Sequence, residues 1–502
     1  MVRAETATKK TMKVRKMASK HIIIIGAGAA GIRMGIRLRE MGISSFQIVE
    51  KDDSVGGTWR DNTYPGVACD VPAQYYCYPF APNTAVKNTF ATGSQLWDYF
   101  QDIATRFEID GHIRFGVEVT DAEWVAGRWK LTTTDGEILH ADIVIGAVGR
   151  LRVPHYPVIE GLDDFGGSVV HSARWDKNLS LEGKRVGIIG NGSSAVQIIS
   201  ATVDSVGHLD VYQRTAQWVY PWKNKEIDPE ELEKARTSDS EAIRAYDRAR
   251  DSFRALFEGI AAGADAEKRN AACVDALNSV KDPVLRAKLT PDYPVGCKRL
   301  VVSGTFYDAI QRPNVSVVTE RIVRVEREGI RMADGALRPL DIIVLATGFH
   351  ADSYLRPMRV TGEDGMTLDD IWSDVFLNYN SIALPFMPNF FMVNGPFSPG
   401  GSISIIEIIE THVNYVARLV DRVVKDHVEI APKIERSEKF VNDARERAKK
   451  TIWYTGGCSS WYLDANGVPL VNPLTSTQLE ELMRDVVFSD FNVRPAQVEV
   501  LT

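Results

Sequence analysis

Two short runs of β-branched residues, each leading straight into glycines, set the pattern of this chain. In HIIIIGAGAAG the apolar run meets Gly26, Gly28 and Gly31 in GxGxxG spacing, and Ile32, Gly35, Ile36 and Leu38 follow at helical spacing. KRVGIIGNGSSAVQII repeats this strand, turn and helix, with Gly190, Gly192 and Ala195 in GxGxxA spacing. ADIVIGAVGR and DIIVLATGF read as buried strands that end in small residues and glycine. From about Lys223 to Leu289 the pattern turns helical and charged, as in DPEELEKAR and AIRAYDRARDSFRALFEGIAA. The stretch from Phe165 to Asp176, FGGSVVHSARWD, fits neither pattern: it is too polar for a core strand and carries no 3.6-residue apolar stripe.

The prediction is an α/β chain with two Rossmann-like dinucleotide-binding domains and a helical insertion in the second. A length of 502 residues already exceeds one compact core. The first domain is expected over 21–150 and 346–502, and the second over 151–222 and 290–345, with the insertion at 223–289. In each glycine turn, the first glycine allows the tight bend, the second admits a pyrophosphate to the backbone, and the third position lets helix and strand pack closely. The helix N-terminus then faces the phosphates with unpaired N–H groups.

The two units differ in sign at one place. Glu50, closing the strand SFQIVEK, lies 24 residues beyond Gly26, and Arg214 lies 24 residues beyond Gly190. A carboxylate accepts from a free ribose diol and repels a phosphate, whereas a guanidinium grips a 2′-phosphate. The first unit is therefore expected to take FAD and the second NADPH, with Thr215 adding a hydroxyl donor.

Composition narrows the class. A net charge of −7 argues against a nucleic-acid surface, and no apolar run reaches the roughly 20 residues that span a bilayer. The five cysteines, Cys69, Cys77, Cys273, Cys297 and Cys458, are odd in number and scattered without a CxxC. They suggest neither a metal site nor a dithiol centre, and they fit a reducing, cytoplasmic setting. The first twenty residues carry seven Lys/Arg and one Glu without a hydrophobic stretch, and read as a disordered basic tail.

The chain resembles the type I Baeyer–Villiger monooxygenases. Phe165, Gly167, His171, Trp175 and Asp176 fit that family's FxGxxxHxxxW signature followed by Pro or Asp, and GGTWRDNTYPGVACD, VYQRTAQWVYP, YPVGCKRL, VLATGF, GPFSPGG and SSWYLD extend the likeness. Two departures stand out: Ala147-Val148-Gly149 replaces the usual Ala-Thr-Gly, and Ala195 replaces a glycine. The resemblance implies that NADPH reduces FAD, that the flavin captures O2 as a C4a-peroxide, and that this attacks a ketone to give an ester or lactone. It puts the positive charge beside the developing anion on Arg299, oriented by Asp70. FAD contacts are implied for Gly26, Gly28, Ala30, Gly31, Glu50, Gly57, Thr58, Trp59, Arg60, Asp70, Tyr76 and Val119, and for the Gly395–Gly401 turn. NADP contacts are implied for Gly190, Asn191, Gly192, Ser193, Ser194, Ala195, Gln197, Arg214, Thr215, Lys298, Arg299 and Trp461. Trp461 would lie in a mobile loop around 453–470, and His171 and Trp175 would be hinge and packing residues between domains. An N- or S-oxidising flavin monooxygenase is the main alternative. A pyridine nucleotide–disulfide reductase, which needs a dithiol, and a non-catalytic flavin-binding scaffold fit less well.

Overall fold

The computed structural model describes residues 20–258 and 266–496. The basic tail lies outside them apart from Lys20, whose Nζ donates to Asp142 at 3.3 Å.

Each glycine turn opens from the middle of a five-stranded parallel sheet, and the two sheets share one plan. The first runs Phe390–Met392, Ile143–Gly146, Ile22–Ile25, Phe46–Val49, Ile113–Arg114. The second runs Ser168–His171, Ile342–Leu345, Arg185–Ile189, His208–Tyr212, Val315–Val318. Parallel sheets are covered on both faces, which explains the unbroken apolar runs. Ile22 and Ile24 pack into the helical layer, while Ile23 and Ile25 pack against a four-stranded sheet built around Val119–Val125 and Arg128–Thr133. Likewise Ile342 and Val344 face one core, and Ile343 and Leu345 the other.

Helix Ala29–Glu40 packs on the first sheet and against the long helix Ile405–Asp426. Their contact is fixed by Arg33, only 3% exposed, which donates to both carboxylate oxygens of Glu410 at 2.5 and 2.8 Å. Residues 223–289 contain the helices Pro229–Thr237, Asp239–Phe257, Ala266–Asn278 and Pro283–Leu289.

The polar stretch that fits no pattern contributes the edge strand Ser168–His171 of the second sheet. An edge strand tolerates polarity, and Ser168 and Val169 are exposed while Val170 and His171 are buried. Among the described residues no helix is long and apolar enough to cross a membrane.

Candidate active site at the seam of two nucleotide units

In the first unit, Gly28 is the N-cap of Ala29–Glu40, with no capping side chain and no acid in the first turn. Its helix N–H groups therefore remain open to an anion. A Cβ on Gly26 would lie 2.7 Å from the Ala147 carbonyl, and one on Gly31 would lie 1.8 Å from that of Gly26. By contrast, a Cβ on Gly28 would meet nothing nearer than Gly57 Cα at 3.8 Å. Gly26 and Gly31 are thus required by packing, whereas Gly28 faces a slot between two glycines. Ala30 lies in the first turn of the same helix.

Glu50, 5% exposed, accepts from the Ala27 N–H at 2.8 Å and from the Asp52 N–H at 3.1 Å. Arg60 donates to it at 3.1 Å and follows Thr58 and Trp59 in the short helix Thr58–Asp61. Trp59 Nε1 donates to the buried Tyr76 hydroxyl at 3.2 Å. Val119 packs its side chain into the core with Ile25 and Val49. Across the unit, the buried atoms Asn394 Oδ1, just before the Gly395–Gly401 turn, and Ser398 Oγ, within it, have no hydrogen-bond partner among the described residues. The open helix end, the glycine slot and these two polar atoms fit a dinucleotide carrying a polar ring. That turn is not itself a helix N-terminus, because the next helix begins at Ile405 and is capped by Ser404.

The second unit repeats the geometry. Gly192 caps Ser193–Thr202 without a capping side chain, and a Cβ on it would meet nothing within 4 Å. A Cβ on Gly190 would lie 2.3 Å from the Ala346 carbonyl, just as Gly26 abuts Ala147. This contact explains why a glycine opens each turn. Ala195 is fully buried. Asn191 Nδ2 donates to Gln213 at 3.0 Å and to the Thr215 carbonyl at 2.7 Å, bracing the turn against the end of the next strand.

Arg214 is exposed at the end of the second strand of its sheet. Burial lowers the Lys298 ammonium pKa and the positive charge of Arg214 lowers it further, against the opposing pull of Asp292. Two cations that feel each other where a 2′-phosphate would sit fit NADP. Ser194 and Gln197 are placed differently: Ser194 Oγ donates to Tyr64 Oη at 3.1 Å, Tyr64 Oη donates to Gln197 Oε1 at 2.8 Å, and Gln197 Nε2 donates to the Ala68 carbonyl at 2.9 Å. Both ends of the Gln197 amide are thus committed to the contact between the units.

At this seam Arg299 Nη2 donates to Asp70 Oδ2 at 2.6 Å. The Asp70 carboxylate raises the already high arginine pKa, so the guanidinium stays charged. The pair opens into a pocket walled by Phe253, Phe257, Leu300, Val302, Trp453 and Tyr462. Phe253 and Phe257, one helical turn apart in Asp239–Phe257, carry the insertion into the site. The sequence reading missed them, together with Tyr64, Trp453 and Tyr462. The i, i+4 aromatic spacing was the only available signal, and any core helix shares it.

The signature residues lie where the chain crosses between units. After Gly149 it leaves the first unit, and after Gly348 it returns. The two crossings are bonded side by side, His155 N to the Gly348 carbonyl and His350 N to the Val153 carbonyl, each at 2.9 Å. His171 packs against both, with ring centroids 5.0 Å from Tyr156 and 6.3 Å from Phe349. Its Nδ1 accepts the Ala173 N–H at 3.1 Å, and burial lowers its pKa. Phe165 and Trp175 are buried in separate cores of the second unit, and Asp176 caps a turn at Asn178. A Cβ on Gly167 would lie 2.2 Å from the Asp341 carbonyl.

Trp461 is 49% exposed, with Arg150 over its ring at 5.8 Å from the centroid. Three residues earlier, Cys458 is disulfide-bonded to Cys297. The 161-residue separation of the two cysteines hid this pairing from the sequence reading. Cys69, Cys77 and Cys273 are free and buried, and burial pushes the Cys77 and Cys273 thiols each up to about 12.

Two open dinucleotide cradles joined by a charged Arg–Asp pair define a flavoprotein oxidoreductase that uses a nicotinamide nucleotide. Residues 23–252 match the family model described as pyridine nucleotide-disulphide oxidoreductase. A Baeyer–Villiger monooxygenase of Streptomyces coelicolor is 37% identical, the match covering 95% of this chain and 94% of that one. An uncharacterised monooxygenase of Mycobacterium tuberculosis is 40% identical over 94% of this chain and 96% of its own. Among solved structures, cyclohexanone monooxygenase from Rhodococcus sp. Phi1 bound to NADP+ superposes with a TM-score of 0.85 at 28% identity, covering 95% of this chain and 99% of that one. The chain belongs to the Baeyer–Villiger monooxygenase family, and it is an FAD- and NADP-dependent oxidoreductase.

Proposed function

We propose that this enzyme oxidises an apolar ketone with O2 and NADPH to an ester or lactone in the cytoplasm, and that the seam between its two units is where it does so. The Arg299–Asp70 pair at the mouth of an aromatic pocket carries this reading. Bound FAD and NADPH supply the hydride transfer and the activation of O2. The first cradle holds the FAD pyrophosphate against Gly28 and the N-terminus of Ala29–Glu40, and Glu50 takes the adenosine ribose. The second holds NADP at Gly192, with Arg214 and Lys298 on the 2′-phosphate. Arg299 keeps a fixed positive charge beside the anion that develops as oxygen adds to the carbonyl, and Asp70 positions it. Phe253, Phe257, Leu300 and Trp453 exclude water and seat the hydrocarbon part of the ketone.

A heteroatom-oxidising reading does not require the charged pair, so the pair provides the test. Arg299→Ala is expected to lower ester formation by about a hundred- to a thousandfold while some NADPH-driven bleaching of the flavin persists. Asp70→Ala should be milder, and the double variant little worse than Arg299→Ala alone. Product analysis on cyclic, aliphatic and aryl ketones, with rapid-mixing spectra of flavin reduction, makes the measurement. Ester formation at the parent rate by Arg299→Ala overturns the assignment.

A further inference from the structure

The disulfide joins two segments that matter for different reasons. Cys297 immediately precedes Lys298 and Arg299, and Cys458 lies three residues before Trp461. Neither sulfur lines the pocket, so the pair stands behind its wall. Cys297 is fully buried in a small cluster with Tyr293 and Cys458, against Trp218 and Ile452. Cys458 is flanked by the exposed Gly457 and Ser459. The second anchor of this loop is Asp464, which accepts from Arg445 at 2.5 Å. Between the anchors Tyr462 is buried and its carbonyl accepts the Leu470 N–H at 2.6 Å, whereas the contacts of the Trp461 ring among the described residues are to Tyr462 at 4.3 Å and to Arg150. The Trp461 ring itself is thus held weakly, and the covalent link ties the start of its loop to the segment that carries Lys298 and Arg299.

We propose that Cys297 and Cys458 are a reversible redox site, and that the oxidised pair fixes the Trp461 loop against the Lys298–Arg299 segment. The oxidant is hydrogen peroxide, which a flavin monooxygenase releases whenever oxygen activation is not coupled to substrate. The O–O bond breaks, each thiol gives up its hydrogen, the S–S bond forms and two waters leave. The reductant is a dithiol of the kind that keeps cytoplasmic thiols reduced. Its thiolate attacks Cys458 Sγ, the sulfur with exposed neighbours. The Cys297–Cys458 bond breaks, Cys297 takes up a proton, and the second reagent thiol displaces Cys458. Peroxide from poorly coupled turnover thus tightens the loop that carries Trp461, whose contact with NADP the family resemblance implies. The role of that loop rests on the proposed function; the thiol chemistry does not.

The test uses the full-length FAD-loaded enzyme after peroxide, and again after dithiothreitol. Thiol counts on the denatured protein should be three after peroxide and five after reduction, because Cys69, Cys77 and Cys273 are outside the pair. Reduction should speed chymotryptic cleavage near the exposed Tyr454 and Trp461 and raise the KM for NADPH about tenfold, with the maximal rate of flavin reduction little changed. Cys458→Ser should show the reduced behaviour in either condition, and Cys273→Ser should respond as the parent does. Five thiols after peroxide overturns the proposal, as does a pair that forms without altering cleavage or KM. Altered cleavage and KM in an enzyme that makes no ester leaves the redox site standing and removes the ketone assignment.

Discussion

The two nucleotide units are built alike and differ where it counts chemically. In both, the glycine-turn strand is central, the first glycine abuts an alanine carbonyl, and an uncapped helix faces an open slot. At the end of the next strand the first unit buries Glu50, tied to the Ala27 and Asp52 N–H groups and to Arg60. The second leaves Arg214 exposed, within electrostatic reach of Lys298. A buried, prearranged carboxylate suits a cofactor that stays, and an open cation suits one that comes and goes. Their edges differ too: the first sheet ends on the fully buried Phe390–Met392, the second on the half-exposed signature strand beside the domain crossings. The shared plan yields two dinucleotide cradles, and the side chains at the ends of their second strands differ in charge and burial.

The largest expected effect comes from breaking one cradle at a time. A Cβ fits sterically at both Gly28 and Gly192, so Gly28→Val and Gly192→Val should fold and lose only the space a pyrophosphate occupies. Gly28→Val is expected to purify with little FAD. Gly192→Val should stay yellow but show almost no reduction by NADPH. Absorbance spectra and flavin content decide it; normal FAD in Gly28→Val would break the assignment of the first cradle.

A smaller effect sharpens the contrast in charge. Arg214→Ala should lose about ten- to a hundredfold of the preference for NADPH over NADH, the worth of one charge-assisted bond to phosphate. Initial rates with both coenzymes provide the number. An unchanged preference would assign the reading of the 2′-phosphate to another residue.

The smallest effect compares two buried histidines. His412, fully buried in the first unit, accepts the Asn394 N–H at 3.1 Å, and burial pushes its pKa down to about 3. An unfolded histidine titrates near 6.5. Its stabilising contribution is therefore complete above about pH 6.5 and is lost as pH falls from there toward 3, at about 1.4 kcal/mol per pH unit. His171 in the second unit is shifted in the same direction. Thermal melts of the holoenzyme between pH 7.5 and 5.5 should show this loss, with a shallower slope in His412→Gln. Equal slopes in parent and variant would assign the acid sensitivity elsewhere.

Much of this was legible without coordinates because it is local. A β-branched run, a glycine turn and an apolar helix lie within about thirty residues, and their order alone specifies a nucleotide cradle. The sign at Glu50 and Arg214 is read by counting along the chain. The signature stretch resisted periodicity because an edge strand buries only part of its surface, and its neighbour, Ile342–Leu345, is more than 170 residues away. Spacing places Gln197 after the second glycine turn but says nothing of its amide, which bonds Tyr64 and the Ala68 carbonyl, 133 and 129 residues away in the chain.

The sequence by itself determined two α/β nucleotide units and the residue types available at each, since both depend on spacing within one strand–turn–helix. Tertiary structure alone decided what meets at the seam. Asp70 and Arg299 are 229 residues apart, and Phe253 reaches them from an inserted helix. Cys297 and Cys458 meet across 161 residues. No local pattern encodes such contacts. They follow from how two separately formed cores dock, with Gly66 close enough to the Ser193–Thr202 helix that a Cβ would lie 2.7 Å from the Gln197 carbonyl. Docking is a property of surfaces assembled from distant segments, and only the folded chain brings those segments together.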